Sequence, residues 1–275
     1  DLMAKGYKFK SNTDSEVLIH GYDEYGEALV NKLRGMFAFC IWDKVEQKVF
    51  AARDNFGIKP FYFYEYEYNG QKALMIASEI KAFLDHPSFE KEVNKKALKP
   101  YLTFQYSAQP DETFFKGVKR LKPGHYFTYQ NGEMNIQKYW EVNFNDQHKT
   151  LEENIADIRA VIDDSVKMHK QSDVPVGSFL SGGVDSSYIT ERLMPDKTFS
   201  IGFAEDTFDE TTHAEDLSNI LNIENIKRTI DADDCLGMLP TIQYHMDEPQ
   251  SNPSTMPLYF LSLIHISERA GKADR

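Results

Sequence analysis

The chain has 275 residues and carries 31 Lys and Arg against 43 Asp and Glu, a formal charge of −12, which disfavours non-specific binding to nucleic acid or to an anionic membrane surface. Hydrophobic residues at 41% and charged residues at 27% exclude a disordered or collagen-like chain, and two cysteines as far apart as Cys40 and Cys235 exclude a disulfide-stapled miniprotein and suit a reducing compartment. No apolar run approaches the roughly 20 residues that span a bilayer, and the first six residues lack a signal-peptide pattern, so a cytoplasmic protein with no membrane or nucleic-acid partner is expected.

Leu18, Tyr22, Tyr25, Leu29 and Leu33 recur at three- and four-residue steps and predict one helix from about Thr13 to Leu33, with Thr13 and Glu16 as its capping box. The run Met36–Trp42 is apolar throughout and reads as a strand covered on both faces, with Cys40 in the core. It pairs with Val49–Arg53 in a hairpin. A second hairpin turns at Asn69-Gly70 between Phe61–Tyr66 and Ala73–Ala77, and a third at Gln130-Asn131-Gly132 between His125–Tyr129 and Met134–Tyr139. The aromatics of Phe61–Tyr66 alternate with period two, as sheet packing requires, rather than marking a base-stacking surface. Arg53 and Asp54 read as a pair bracing the hairpin, with Gly57 and Pro60 in a rigid turn.

The polar stretch Asn143–Lys149 breaks the periodicity and marks a boundary, giving domains over 1–145 and 150–275. A helix follows from Thr150, capped by Glu153, with Leu151, Ile155, Ile158, Ile162 and Val166 on one face. The runs Val174–Leu180, Thr198–Phe203 and Asn225–Ile230 alternate with helical stretches near Asp185–Leu193, Thr212–Leu221 and Asp233–His245. That alternation predicts βαβ units and a parallel sheet. The fold class is therefore α/β overall: an α+β antiparallel sandwich followed by a parallel α/β domain.

The stretch Phe179-Leu180-Ser181-Gly182-Gly183-Val184-Asp185-Ser186-Ser187 leaves a buried strand, passes two glycines and enters a helix. Glycine lets the backbone turn tightly against a phosphate, and the first helical N–H groups supply donors at the positive dipole end. Ser181, Ser186 and Ser187 add hydroxyl donors, and Asp185 suits the magnesium ion that accompanies a polyphosphate. The alternative is a Ser/Gly/Asp turn that only caps the helix. The pattern is neither GxxxxGK[ST] nor GxGxxG; SGGxDS after a strand resembles the pyrophosphate loop of the ATP-pyrophosphatases. The resemblance implies ATP binding by Leu180, Ser181, Gly182, Gly183, Asp185, Ser186, Ile201 and Gly202, with Asp185 the Mg2+ ligand and ATP and Mg2+ the cofactors.

In the first half, Ser11–Glu16, Leu33–Phe39, Ala52–Tyr62 and Ala77–Ala82 resemble the glutaminase domain of glutamine-hydrolysing asparagine synthetase. With the phosphate loop and Asp247-Glu248-Pro249 in order downstream, the similarity extends to about Leu261. The resemblance implies an Ntn-hydrolase-like sandwich, incomplete here, and glutamine binding through Asp14, whose carboxylate pairs with the α-amino group. It implies conversion of aspartate to asparagine through β-aspartyl-AMP, with glutamine or ammonia as nitrogen source and a homodimer among the expected partners. A β-lactam synthetase-like cyclase and a non-catalytic nucleotide-binding fragment are the alternatives.

That glutaminase uses an N-terminal cysteine, which has no match in this sequence, so no catalytic residue is assigned. Cys40 in an apolar strand is no substitute, because a thiolate there is costly. The fragment is expected to be truncated at both ends and to lack glutaminase activity, with an unrelated or disordered tail after Ser262. His245, Asp247 and Glu248 match no established metal spacing; Asp247-Glu248-Pro249, with Pro253 and Pro257, reads either as a rigid loop facing the nucleotide or as a solvent loop.

Overall fold

The computed structural model describes residues 1–106, 109–145, 147–205 and 211–273, with side chains through 266. The chain divides into two compact units, Asp1–Phe144 and Asn145–Arg275.

In the first unit, α1 (Asp14–Tyr25) is followed by β1 (Ala38–Asp43), β2 (Lys48–Arg53), β3 (Tyr62–Tyr68), β4 (Gln71–Ala77), α2 (Lys95–Phe104), β5 (Val118–Arg120), β6 (His125–Gln130) and β7 (Glu133–Lys138). Strands β1-β2-β6-β7 form one antiparallel sheet and β4-β3-β5 another. The hairpin turns fall where the sequence places them: Asn69 and Gly70, like Asn131 and Gly132, take positive φ, as a two-residue turn matching the strand twist requires.

Alternation along the strands builds the layers. Ala51 and Phe127 of the four-stranded sheet meet Phe61, Phe63, Leu74 and Ile76 of the other. On the opposite face, Phe39, Ile41, Phe50 and Ala52 pack against Leu18 and Tyr22 of α1. Outside the three-stranded sheet, Tyr62, Tyr64 and Val118 pack on Ile80, Phe83 and Phe89. The odd and even aromatics of β3 thus serve different cores, which accounts for the whole run without a base-stacking surface.

Three expectations are corrected here. The first helix stops at Tyr25, because Gly26 leaves helical geometry at φ +57 and a short 3-10 segment, Gly26–Asn31, follows. Leu29 keeps its apolar contact by packing over Gly21, where a Cβ would lie 2.5 Å from its Cδ1. The capping box is absent: Thr13 makes no side-chain cap, and Glu16 reaches past it to the amides of Lys10 and Ser11, each at 2.8 Å. Strand β1 buries only one face; Phe39 and Ile41 are buried while Cys40 and Trp42 are exposed, since the layer that covers Ala51, the β2 partner of Cys40 on the same face, does not reach across to Cys40.

The second unit opens with α3 (Leu151–His169), whose start is the expected box: Glu153 N–H donates to Thr150 Oγ1 at 3.2 Å and Thr150 N–H to Glu153 Oε2 at 2.8 Å. Val166 of its apolar face is buried, whereas Leu151, Ile155 and Ile158 are exposed. There follow β8 (Gly177–Phe179), α4 (Val184–Leu193), β9 (Lys197–Phe203), α5 (Thr211–Leu221), β10 (Glu224–Ile230), α6 (Ala232–Met246) and α7 (Thr255–Ala273). The sheet order is β10-β9-β8, all parallel. The overall class is therefore mixed α/β, with antiparallel and parallel sheets. Residues Leu263–Ala273 continue α7, which corrects the expectation of a disordered tail after Ser262; Ile264 is buried and the His265 ring meets Phe199 edge-on at 5.5 Å.

Candidate functional site

Strand β8 is held to β9 in parallel register, and Leu180 N–H continues the ladder to Phe199 O at 2.9 Å. The chain then turns through Ser181-Gly182-Gly183 into α4. Gly182 takes φ +83, a conformation L side chains rarely adopt. Gly183 is the N-cap and contributes no side-chain cap. The first helical amides, those of Val184, Asp185 and Ser186, therefore have no carbonyl partner within the helix; the ladder starts only at Ser187 N–H to Gly183 O, 3.0 Å.

The serines stiffen this corner. Ser186 Oγ accepts from Ser181 N–H at 3.4 Å, lies 3.0 Å from Ser181 Oγ, and donates to Gly183 O at 3.1 Å. Gly183 N–H donates to Ser181 Oγ at 3.4 Å. Beside the corner, at the carboxyl ends of β8 and β9, lies a cleft of about 580 Å³ lined by Phe179, Leu180, Ser181, Ser186, Ile201, Phe203, Pro253, Ser254, Pro257, Leu258 and Leu261. Such crevices are where ligands of open parallel sheets lie.

Of the residues assigned from sequence, Leu180, Ser181, Ser186 and Ile201 come together in the cleft wall. Gly182 and Gly183 form the corner, Asp185 stands exposed in the first turn of α4, and Gly202 is buried in β9 opposite Thr229 of β10. Asp14 lies exposed in the first turn of α1, where Ser15 Oγ donates to it at 3.4 Å. Phe203, Ser254, Leu258 and Leu261 were missed as lining residues. Phe203 was within reach, being two residues beyond Ile201 on the same strand face; the α7 residues approach only through tertiary packing.

Arg53 and Asp54 brace their turn, but not as a pair. Arg53 donates to Lys59 O at 2.8 Å, Gly57 O at 2.6 Å and Leu121 O at 2.7 Å. Asp54, only 1% exposed, accepts from the amides of Phe56, Ile58 and Lys59 at 3.0 to 3.2 Å. The cation takes the carbonyls of the loop and the anion takes its amides. Burial holds the Arg53 guanidinium below its ordinary pKa.

Although the Cys40 side chain reaches solvent, the protein packed around its sulfur desolvates it and raises the thiol above its ordinary value, and burial with the Asp234 and Asp231 charges raises Cys235. Neither is poised as a thiolate nucleophile. Among the described residues no group of three or more His, Cys, Asp or Glu is placed to hold a metal ion, and no helix is long and apolar enough to cross a membrane. His245 packs against the rings of Tyr244 and Tyr259.

Fold and corner together define a class: a protein of two α/β units, the second carrying a glycine-rich strand-to-helix corner above a cleft at the sheet's carboxyl edge. Residues 1–140 match the family described as glutamine amidotransferase domain, and residues 157–268 match the one described as asparagine synthase. The chain belongs to the glutamine amidotransferase family, with an asparagine synthase match in its second half. The latter match reaches past Leu261, where the sequence reading ends it.

Among curated relatives, asparagine synthetase [glutamine-hydrolyzing] 1 of Bacillus subtilis is 39% identical over 272 residues, 95% of this chain and 41% of that protein. Asparagine synthetase [glutamine-hydrolyzing] 3 of the same organism is 38% identical over 74% of this chain and 34% of its own length. Amidase chyE of Penicillium rubens is 36% identical over 69% and 28%. The chain thus spans at most about two fifths of these relatives.

Proposed function

We propose that the second unit binds ATP and that the protein to which this chain belongs converts aspartate to asparagine with nitrogen from glutamine or ammonia. One observation carries the reading: unpaired amides at the start of α4, a glycine that must take positive φ, and an apolar cleft side by side at the sheet's carboxyl edge. A triphosphate needs the first two and a purine the third.

In this reading the corner amides hold the phosphates, while Leu180, Ile201 and Phe203 supply apolar contact to the base. The first unit is a glutaminase domain of Ntn-hydrolase type, consistent with two face-to-face sheets between outer layers, and Asp14 pairs with the α-amino group of glutamine. A homodimer belongs to the same reading.

A carboxylate is a poor acylating agent until one of its oxygens becomes part of a leaving group. The β-carboxylate of aspartate attacks the α-phosphorus of ATP, the bond to the pyrophosphate oxygen breaks, and β-aspartyl-AMP forms. Ammonia then attacks the acyl carbon; AMP departs with the shared oxygen and a proton is released, leaving the amide. Amide donors at the corner stabilise the charge that collects on pyrophosphate. The donor set also fits magnesium in one way: Asp185 offers a hard carboxylate oxygen, and this ion is commonly held by one or two carboxylates together with phosphate oxygens and waters. When bound, the ion neutralises phosphate charge.

Asp185→Ala should weaken magnesium-ATP binding about tenfold or more, the scale of one lost charged ligand, with little change in melting temperature because Asp185 is exposed. Titration calorimetry that finds the affinity unchanged overturns the role.

A further inference from the structure

The two faces of β9 carry different chemistry. Ile201 and Phe203 line the cleft, whereas Thr198 and Ser200 point to the other face and are buried. There they form part of a polar seam. Thr198 Oγ1 lies 3.0 Å from Ser218 Oγ of α5, and Ser178 Oγ of β8 lies 3.1 Å from Thr190 Oγ1 of α4. The Asn225 amide of β10 spans the centre, donating to Thr198 Oγ1 at 2.9 Å and to Ser200 Oγ at 3.0 Å. Ser200 Oγ in turn donates to Leu180 O at 2.7 Å.

That last bond leaves the seam and enters the phosphate corner. Leu180 is the residue between β8 and Ser181, and its carbonyl belongs to the peptide that sets the direction of the turn. A hydroxyl has one proton. Ser200 can give it to Leu180 only while its own oxygen is approached by a donor rather than an acceptor, and Asn225 presents its NH2 group there. The orientation carries a cost: among the described residues Asn225 Oδ1 is buried without a hydrogen-bond partner, a condition that calls for an explanation. The reverse orientation would satisfy Oδ1 with both hydroxyls, draw the Ser200 proton away from Leu180, and strand the NH2 group instead.

We infer that Ser200 and Asn225 are positioning residues for the phosphate corner: the Asn225 amide directs the Ser200 hydroxyl onto the Leu180 carbonyl and so fixes the peptide from which Ser181, Gly182 and Gly183 turn toward the ligand. The inference rests on the ATP-binding reading for its consequence but on hydrogen bonding alone for its mechanism. The mechanism is therefore testable without nucleotide.

The experiment uses the 275-residue chain and three variants. Ser200→Ala removes the donor to Leu180. Asn225→Asp keeps the side-chain shape but offers only acceptors. Ser218→Ala removes a seam hydroxyl that touches Thr198 and not Leu180. Exchange of the hydrogen-bonded corner amides, those of Leu180, Ser181 and Gly183, measured without ligand, should rise several-fold in the first two variants and stay at the parent level in Ser218→Ala, whatever the change in melting temperature. ATP affinity by calorimetry should fall about fivefold in Ser200→Ala, the equilibrium equivalent of one neutral hydrogen bond, and be unchanged in Ser218→Ala. Equal exchange in Ser200→Ala and parent, or equal effects of Ser200→Ala and Ser218→Ala, overturns the positioning role. A parent chain that fails to bind ATP while Ser200→Ala still loosens the corner overturns the nucleotide reading and leaves the positioning role standing.

Discussion

In the first unit Phe50, Phe127 and Leu121 fill the space on either side of the four-stranded sheet, whereas beneath the parallel sheet of the second unit the buried layer holds Thr190, Thr198, Ser200 and Ser218. Among the described residues all three hydrophobic clusters draw on the first unit. Apolar packing is non-directional, so it holds two sheets together without fixing any one peptide plane. A chain of hydrogen bonds is directional and does fix one. Among the described residues the first unit also uses direction locally, in the loop after β2, where Arg53 and Asp54 bind backbone groups on opposite sides of the turn, and at the start of α2, where buried Asn94 and Thr113 bind the carbonyls of Thr113, Phe115 and Val118.

The largest test of this contrast is Phe127→Ala. Phe127 is fully buried between the sheets, and truncation should cost about 3–5 kcal/mol. Urea denaturation followed by amide exchange should show the first unit loosened and the protection of β9 intact. Loss of protection in β9 as well would mean the two units do not unfold separately.

A smaller effect is expected from Thr198→Val, which keeps the shape and deletes one hydroxyl of the seam. Leaving an Asn225 donor and Ser218 unpaired should cost about 1–3 kcal/mol. A variant as stable as the parent would show that the polar layer contributes no more than an apolar one.

The smallest effect concerns the start of α1. Ser11 donates to Glu16 through both its hydroxyl and its amide, and the Lys10 amide adds a third bond. With the Ser11 hydroxyl contributing most, these bonds hold the Glu16 carboxyl down at about 2, against an ordinary 4.5. A depressed carboxylate stabilises the folded state above its unfolded pKa and loses that contribution as pH falls through the folded one. Protection of the Lys10 and Ser11 amides, measured relative to intrinsic exchange at each pH, should therefore fall between pH 4.5 and about 2, and Glu16→Gln should flatten that dependence. A pH profile identical in the variant would assign the loosening to other groups.

Much of this was legible in local sequence. The Asn-Gly turns need positive φ at both positions, so two hairpins were readable from two residues each. The capping box at Thr150 and Glu153 was equally local and formed, whereas the same pattern at Thr13 and Glu16 did not, because Ser11 and the amides before it offered Glu16 more donors. Strand β1 shows the limit of reading burial from composition. Seven apolar residues in a row suggest two covered faces, yet the layer that buries Ala51 of β2 stops short of its neighbour Cys40 on the same face.

By itself the sequence determined the kind of sheet in each half, the turns that join the strands, and the glycine corner, since all of these follow from side-chain period and backbone permission over a few residues. Tertiary structure decided which atoms meet: that Arg53 and Asp54 hold a loop rather than each other, that α7 brings Leu258 and Leu261 to a cleft far back in the chain, and that an amide on β10 steers a hydroxyl on β9. Distances of this kind depend on how strands and helices stack, and no local pattern encodes the stacking.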